Sequence, residues 1–504
     1  MEWIYIEDTK RFVAVEPTVG RTDYQSEIAV LNGNNIPYIA YCDMVNLKLP
    51  GRSAPHRPKV SIIWIDSLST YKAERLLSQN HIRAVSKGAF FRRRYVYFRA
   101  YDLGPFFFIM RRKLVNKFKS YFKRAKPFYS LMENFVLFRL WRPGHLRTVL
   151  RHCLRINRSH SKDQEHIDAA LGWIERSILV TKGQGSAMRY YFNQKGWGSA
   201  YPETSGYLIC TLLRVKGGRK WFRYAQSLAD WLITIQNANG SFDGGDVDED
   251  VGPSVFNSGQ ILQGLIATYQ ATADVKYLNA AVKAGDWLVS LQEENGVWRR
   301  YECGSIPHAY HTRVSWPLLQ LWRVCHNDTY KKSAINNLDW CLSRAQENGW
   351  VQQCGYSVEN HRAPFTHFIA YAMEGFWEAG LILNRSDWLD QALRTARAFK
   401  SIFEIKGTIL GEYRNDWTTD VKYQCVTGLA QIALVWKKIG LLEGGDWRIS
   451  ADKLLRQVKS YQDLTIRNDG IRGGLPGSWP LWGSYSAWSY PNWAVKFFLD
   501  AMIA

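Results

Sequence analysis

Six stretches of this 504-residue chain are crowded with side chains that do chemistry. Carboxylates appear as Glu203, as Asp243 and Asp246 in an acidic run reaching Asp250, and as Asp416 and Asp420; Glu302, Glu359 and Glu412 are further members. Breaking a glycosidic bond takes two carboxyl groups, one kept protonated as acid and the other ionised as nucleophile or base. That pair is expected among Glu203, Asp243, Asp246, Asp416 and Asp420. A second constellation is Tyr310-His311-Thr312-Arg313, with Asn257, His361, His367, Tyr423 and Tyr490. It holds a cation or amide to neutralise a carboxylate and an imidazole or phenol to take a proton, which is lyase or C5-epimerase equipment for a uronate. Trp197, Tyr201, Trp417 and Trp488 suit stacking against the apolar faces of sugar rings. Each group has a plainer counterpart: Glu203 at a helix start complements the helix dipole, and a dense acidic run is ordinarily solvated.

These stretches are placed by a repeat. Asp230-Trp231-Leu232 leads to Gln236 and Asn239-Gly240, Asp286-Trp287-Leu288 to Gln292 and Asn295-Gly296, and Asp339-Trp340-Cys341 to Gln346 and Asn348-Gly349. From Trp173, the tryptophans follow at intervals of 58, 56 and 53 residues, a spacing that announces a repeat architecture. Each copy reads as an amphipathic helix closed by a left-handed Asn-Gly stop. Outer and inner helices are expected over 163–180 and 203–215, 219–237 and 256–272, 275–292 and 312–325. The series continues over 328–346 and 366–383, 387–404 and 422–439, and 446–461 and 490–503. Six such hairpins bury their apolar stripes only against one another and close into a mainly α (α/α)6 toroid over residues 161–504. Every loop from an outer to an inner helix then opens on one mouth, and those loops are the six chemistry-bearing stretches.

The first 160 residues differ. They hold 29 Lys/Arg against 11 Asp/Glu, and the remainder 36 against 34, so the net charge of +20 belongs to a basic N-terminal module. It reads as α/β: Val60–Ile65 suits a buried strand, Tyr71–Gln79 a helix, and Arg83–Ser86 and Tyr95–Ala100 further strands. Residues 111–126 place Leu114, Phe118, Tyr121 and Phe122 at helical spacing among eight basic residues, which suits an anionic membrane surface or an acidic protein partner. Residues 127–160 read as a connector. No base-reading module accompanies the patch, so nucleic acid is not an expected partner. Eight scattered cysteines, a start without a signal-peptide pattern and no long apolar run point to the cytoplasm, peripheral at the inner face of the membrane.

With the six pairs in place, residues from about 162 onward resemble the (α/α)6-toroid superfamily of carbohydrate-active enzymes, which includes six-hairpin glycosidases, polysaccharide lyases and sugar epimerases. The run from Gly196 to Tyr207 (GWGSAYPETSGY) resembles toroid proteins of bacterial surface-polysaccharide gene clusters. The resemblance implies an oligosaccharide or polysaccharide substrate, with hydrolysis by paired carboxylates ahead of lyase or epimerase action. A non-catalytic glycan-binding accessory of polysaccharide biosynthesis is the reading from another class. Asp246–Asp250 and the Gln-x-x-Asn-Gly endings also resemble terpenoid cyclases, which normally add a second helical toroid. Cys303 with His308 and His311, or Cys354 with His361 and His367, lack a diagnostic zinc spacing. No metal and no cofactor are expected.

Overall fold

A computed structural model of the protein describes the strands β1 (Glu2–Ile6), β2 (Arg11–Glu16), β3 (Ser61–Ile65) and β4 (Phe91–Tyr95), and residues 137–156, 161–192 and 196–504. The chain divides into two compact units, Met1–Ser130 and Leu131–Ala504. In the first, β1 and β2 pair antiparallel and β3 and β4 parallel. The expected strand at Val60–Ile65 is β3. The helices expected at 71–79 and 111–126, the strand at 83–86 and, beyond Tyr95, the strand at 95–100 lie outside the described residues.

In the second unit, α1 (Pro143–Cys153) precedes the six pairs. The sequence reading has it in the connector of a module ending at 160, but it packs on the toroid. Arg147 donates to Thr465 Oγ1 at 2.7 Å, and His152 accepts from the Leu481 N–H at 2.9 Å. The outer helices are α2 (Asp163–Leu179), α4 (Arg219–Thr234), α6 (Val275–Leu291), α8 (Asp328–Ser343), α10 (Ser386–Lys406) and α12 (Trp447–Tyr461). The inner ones are α3 (Pro202–Arg214), α5 (Val255–Thr272), α7 (Thr312–Cys325), α9 (Thr366–Leu383), α11 (Val426–Leu442) and α13 (Asn492–Ile503). Each touches the next, and α13 returns to α3, which closes the (α/α)6 ring. Inner helices such as α5 and α11 are buried on nearly every side, as helices apolar all round must be.

The Asn-Gly stops do a different job from the one expected. The outer helix α4 ends at Thr234, and Gly240 comes later, in a turn with φ of +93°. A Cβ at Gly240 would lie 2.2 Å from the Lys283 carbonyl oxygen on α6, and one at Gly296 2.5 Å from that of Asn336 on α8. Gln236 Nε2 donates to the Gly240 and Ala280 carbonyls, and Gln292 Nε2 to those of Gly296 and Ser333. The motif therefore clamps each outer helix to the next rather than capping its own. Its aspartates work alike: Asp230 accepts from Tyr277 at 2.7 Å, Asp286 from Tyr330 at 2.6 Å, and Asp339 from the Trp388 indole at 3.1 Å. Left-handed caps occur instead on three inner helices, at Ala273, His326 and Asn384, and on the outer helix α10, at Gly407.

Candidate active site

At the loop-bearing mouth lies a cleft of about 470 Å³, within the range of ligand pockets. Its first side chains come from β5 (Arg189–Tyr191), which pairs with β6 (Gly196–Trp197) and β9 (Ser489–Pro491), and from the start of α3; β7 (Gln424–Cys425) and β8 (Ser478–Trp479) form a separate antiparallel pair. Pro202 in the first turn of α3 sets the helix going, and Glu203 follows it facing the cleft. Glu203 is buried and accepts a hydrogen bond from Tyr201 Oη at 2.6 Å. Burial raises its pKa to about 7; the Tyr201 bond and the Arg313 charge pull the other way, and Glu302 adds to the rise.

Glu302 lines the same cleft from the loop between α6 and α7. It accepts from the Phe256 N–H at 2.7 Å, and His311 Nε2 approaches its carboxylate to 3.3 Å. Burial alone would raise its pKa, but His311, His308 and the Phe256 N–H outweigh that and bring it below the usual range. One cleft thus holds a carboxyl poised to keep a proton and another poised to lack one.

The walls are aromatic. Tyr356 and Phe365 are nearly parallel, with centroids 6.1 Å apart, and Phe368 stacks on Tyr310 at 5.0 Å. His367 is 4.2 Å from Tyr371 and binds Gln431 Oε1 through Nδ1 at 2.5 Å; burial lowers its pKa to about 3, so it is neutral at working pH. Arg189 is the cleft's cation. Its Nη1 donates to Ser486 Oγ at 3.0 Å, its guanidinium lies 4.8 Å from the Trp493 ring, and its buried Nε has no partner. No carboxylate pairs with it among the described residues.

Of the residues singled out in the sequence, Glu203, Tyr201, Asn257, Glu302, Cys303, Tyr310 and His367 line this cleft. The others do not. Asp243 is exposed and accepts from Asn237 at 2.9 Å, while Asp246 accepts from the Asp248 N–H in its own loop. Asp416 is exposed and closes a turn onto Thr418; Asp420 is exposed and pairs with Arg414. Short polar loops satisfy their carboxylates locally, which keeps these four away from the cleft. Arg313 is buried against Glu374 at 3.0 Å, inside the ring. His311 lies behind Glu302, and His361 lies 5.7 Å from His308, outside the lining.

Trp197 packs on Trp173 and Tyr190, Trp417 donates to the Asn348 carbonyl, and Tyr423 bonds Glu412. Trp488 stacks on Phe138 at 3.9 Å, and Tyr490 is buried in β9. These aromatics are scaffold. Glu302 stood in the sequence only as a further mouth carboxylate, and Arg189, Tyr371, Tyr485 and Trp493 carried no signal. The cysteines and histidines named as zinc ligands form no group able to hold a metal among the described residues.

The model of Glycosyl Hydrolase Family 88 matches residues 224–436. An unsaturated glucuronyl hydrolase of Bacillus sp. GL1, described as responsible for the degradation of glycosaminoglycan, shares 16% identity over 68% of this chain and 96% of its own, with a TM-score of 0.55. A mutant unsaturated glucuronyl hydrolase of Streptococcus agalactiae, complexed with dGlcA-GalNAc6S, shares 14% over 69% and 92%, with a TM-score of 0.52. An α-amylase of Clostridium perfringens shares 14% over 68% and 97%, with a TM-score of 0.51. The chain has the fold of the six-hairpin glycosidases. No curated protein matches it. At these identities the likeness carries the fold. The family match, which spans Glu302 but begins after Glu203, supports glycosidic hydrolysis as the reaction class. No helix among the described residues is long and apolar enough to cross a membrane.

Proposed function

We propose that this protein hydrolyses a glycosidic bond in an acidic oligosaccharide, with Glu203 as general acid and Glu302 as its ionised partner. The observation carrying the reading is that two carboxyls of one cleft are pushed apart in proton affinity, the arrangement that assigns acid and base roles. Glu203 gives its proton to the glycosidic oxygen as the bond to the anomeric carbon breaks. Glu302 attacks that carbon, or takes a proton from the water that does. The aromatic walls hold the sugar rings, and His367, neutral at working pH, meets a hydroxyl without competing for the proton.

Arg189 supports the acidic substrate, since a cleft-lining guanidinium with an unpartnered buried N–H suits a carboxylate or a sulfate. The relatives named for unsaturated glucuronyl substrates point the same way. A lyase or epimerase would need a ready base. The cleft's phenols, Tyr201, Tyr310 and Tyr371, are instead held protonated by burial. Asp246–Asp250, the feature shared with terpenoid cyclases, lies off the cleft. The run from Gly196 to Tyr207 favours a bacterial surface polysaccharide as the source of the substrate.

The test is a panel of neutral, uronate-containing and unsaturated-uronate-capped oligosaccharides, read by reducing ends released and by absorbance of the unsaturated group. New reducing ends from acidic members, lost in Glu203→Gln and Glu302→Gln, support the reading. Full turnover by Glu302→Gln, or binding without turnover across the panel, sinks it. In the wider setting, scattered cysteines favour the cytoplasm and the basic segment 111–126 favours an anionic membrane face. Liposome sedimentation with Lys117, Lys119, Lys123 and Arg124 changed to Glu tests it, and unchanged lipid binding counts against it.

A further inference from the structure

Glu302 is ionised where burial works against the charge, so its neighbours must supply what water would. From its own loop come Cys303, Tyr310 and two imidazoles, His308 and His311. From α5 comes the Phe256 N–H. From α3 comes Glu203, whose own proton is held the more tightly for facing Glu302. No lysine or arginine pairs with Glu302 among the described residues. The Cys303 thiol is pushed up by burial and by Glu302 and stays neutral, and Tyr310 is pushed up likewise. His308 is lowered to about 4, chiefly by burial, with its ring nitrogens 2.8 Å from the Gly355 carbonyl and 3.1 Å from that of Cys303. His311 is left as the side chain that meets the carboxylate directly, with Nε2 turned to Oε1.

Its setting fits that task. His311 Nε2 lies 3.3 Å from Glu302 Oε1, with the two side chains 1% and 3% exposed. The approach is off the line of a hydrogen bond, as catalytic contacts often are before substrate tightens them. The imidazole is boxed edge-on by Trp298 at 5.7 Å, by Tyr310 at 5.3 Å and by His308 at 5.4 Å, with Phe256 stacked beyond at 6.4 Å. This box gives the ring one orientation and keeps it out of the cleft lining.

We propose that His311 is a positioning residue for Glu302: from behind the cleft it orients the carboxylate and holds it ionised, without touching substrate. The proposal rests on the hydrolytic role given to Glu302 above. Without His311 the buried Glu302 takes up a proton, and the cleft is left with two neutral acids and no base. Such a cleft binds the sugar and leaves the bond intact, so the loss belongs to kcat and to the acid limb of the pH profile.

The test compares His311→Gln, which keeps an N–H donor, with His311→Phe, which keeps an aromatic ring and loses the donor. Two quantities are read: the pH dependence of kcat/KM, and the titration of the Glu302 carboxyl by carbon NMR in glutamate-labelled protein, assigned by its absence in Glu302→Gln. In His311→Phe both midpoints are expected to rise by about one pH unit or more. Its kcat should fall roughly tenfold or more with KM little changed, and His311→Gln should lie between it and the native protein. A Glu302 titration that moves in neither variant overturns the proposal, as does a loss confined to KM. If His311→Phe fails to fold, as read by thermal unfolding, His311→Gln and the carboxyl titration decide. A moved titration together with full activity in Glu302→Gln leaves the pairing standing and removes the reaction assigned to it.

Discussion

Glu203 keeps its proton because burial outweighs the Tyr201 hydrogen bond and the nearby Arg313 charge, and that sets the pH window of the chemistry. The active form has Glu203 protonated and Glu302 ionised. The kcat/KM profile should therefore fall on the basic side with a midpoint near 7, and on the acid side below the ordinary carboxylate range. Glu203→Gln should remove the basic limb along with at least about a hundredfold of the rate; a limb that persists assigns it to another group. The same burial costs stability. A carboxyl whose folded pKa lies above its unfolded value holds extra protons when folded, so stability falls as pH rises from about 4.5 to about 7 and is level beyond. Glu203→Gln abolishes that slope. It should gain at most roughly 3 kcal/mol on the native protein between pH 5 and pH 8, read by denaturant titration at both. The site was half legible at this scale. Glu203 was marked by its place at the start of an inner helix. Asp243 and Asp416 were marked by the same loop logic and fail because a carboxylate in a short polar loop binds its own neighbours first. Glu302 differs from them only in what its loop is buried against, and that is a tertiary fact.

The repeat is read most fully among the helices. Every helix expected of the repeat is present, because an apolar stripe of helical period leaves few alternatives once the period is known. What single-helix logic misread was the Asn-Gly turn, whose partner is the neighbouring outer helix. Gly349 shows the constraint: its φ is +84°, and a Cβ there would sit 2.5 Å from the carbonyl carbon of Arg394 on α10. Gly349→Ala should cost about 3 kcal/mol from the left-handed backbone and the clash together. Tyr330→Phe, which only deletes the hydrogen bond to Asp286, should cost about 1 kcal/mol. Chemical denaturation measures both. Equal small losses would mean that the glycine turn merely connects, and that the clamp rests on the tyrosine–aspartate bonds.

A ring has to close, and the closure passes through the site. The first and last hairpins meet where β9 pairs with β5, the strand carrying Arg189, and where α13 lies against α3, the helix that opens with Glu203. Asn492, the first residue of α13, ties them. Its Nδ2 donates to Thr204 Oγ1 at 2.8 Å and contacts Ser186 Oγ and the Ala187 carbonyl at 3.1 Å, all buried. Nothing in the spacing of the repeat announces this residue, since closure is defined only when both ends of the chain are in place. Asn492→Leu keeps the branched shape and leaves those groups without their donor, so it should destabilise the toroid by roughly 2–3 kcal/mol. Because the same seam positions Arg189, KM for acidic substrates should also rise several-fold at temperatures where the variant is fully folded, with KM for any neutral substrate changed less. Lower stability with unchanged KM for acidic substrates would show that the seam holds the ring without aiming the arginine. A selective rise in KM ties the closure of the fold to the recognition of its ligand.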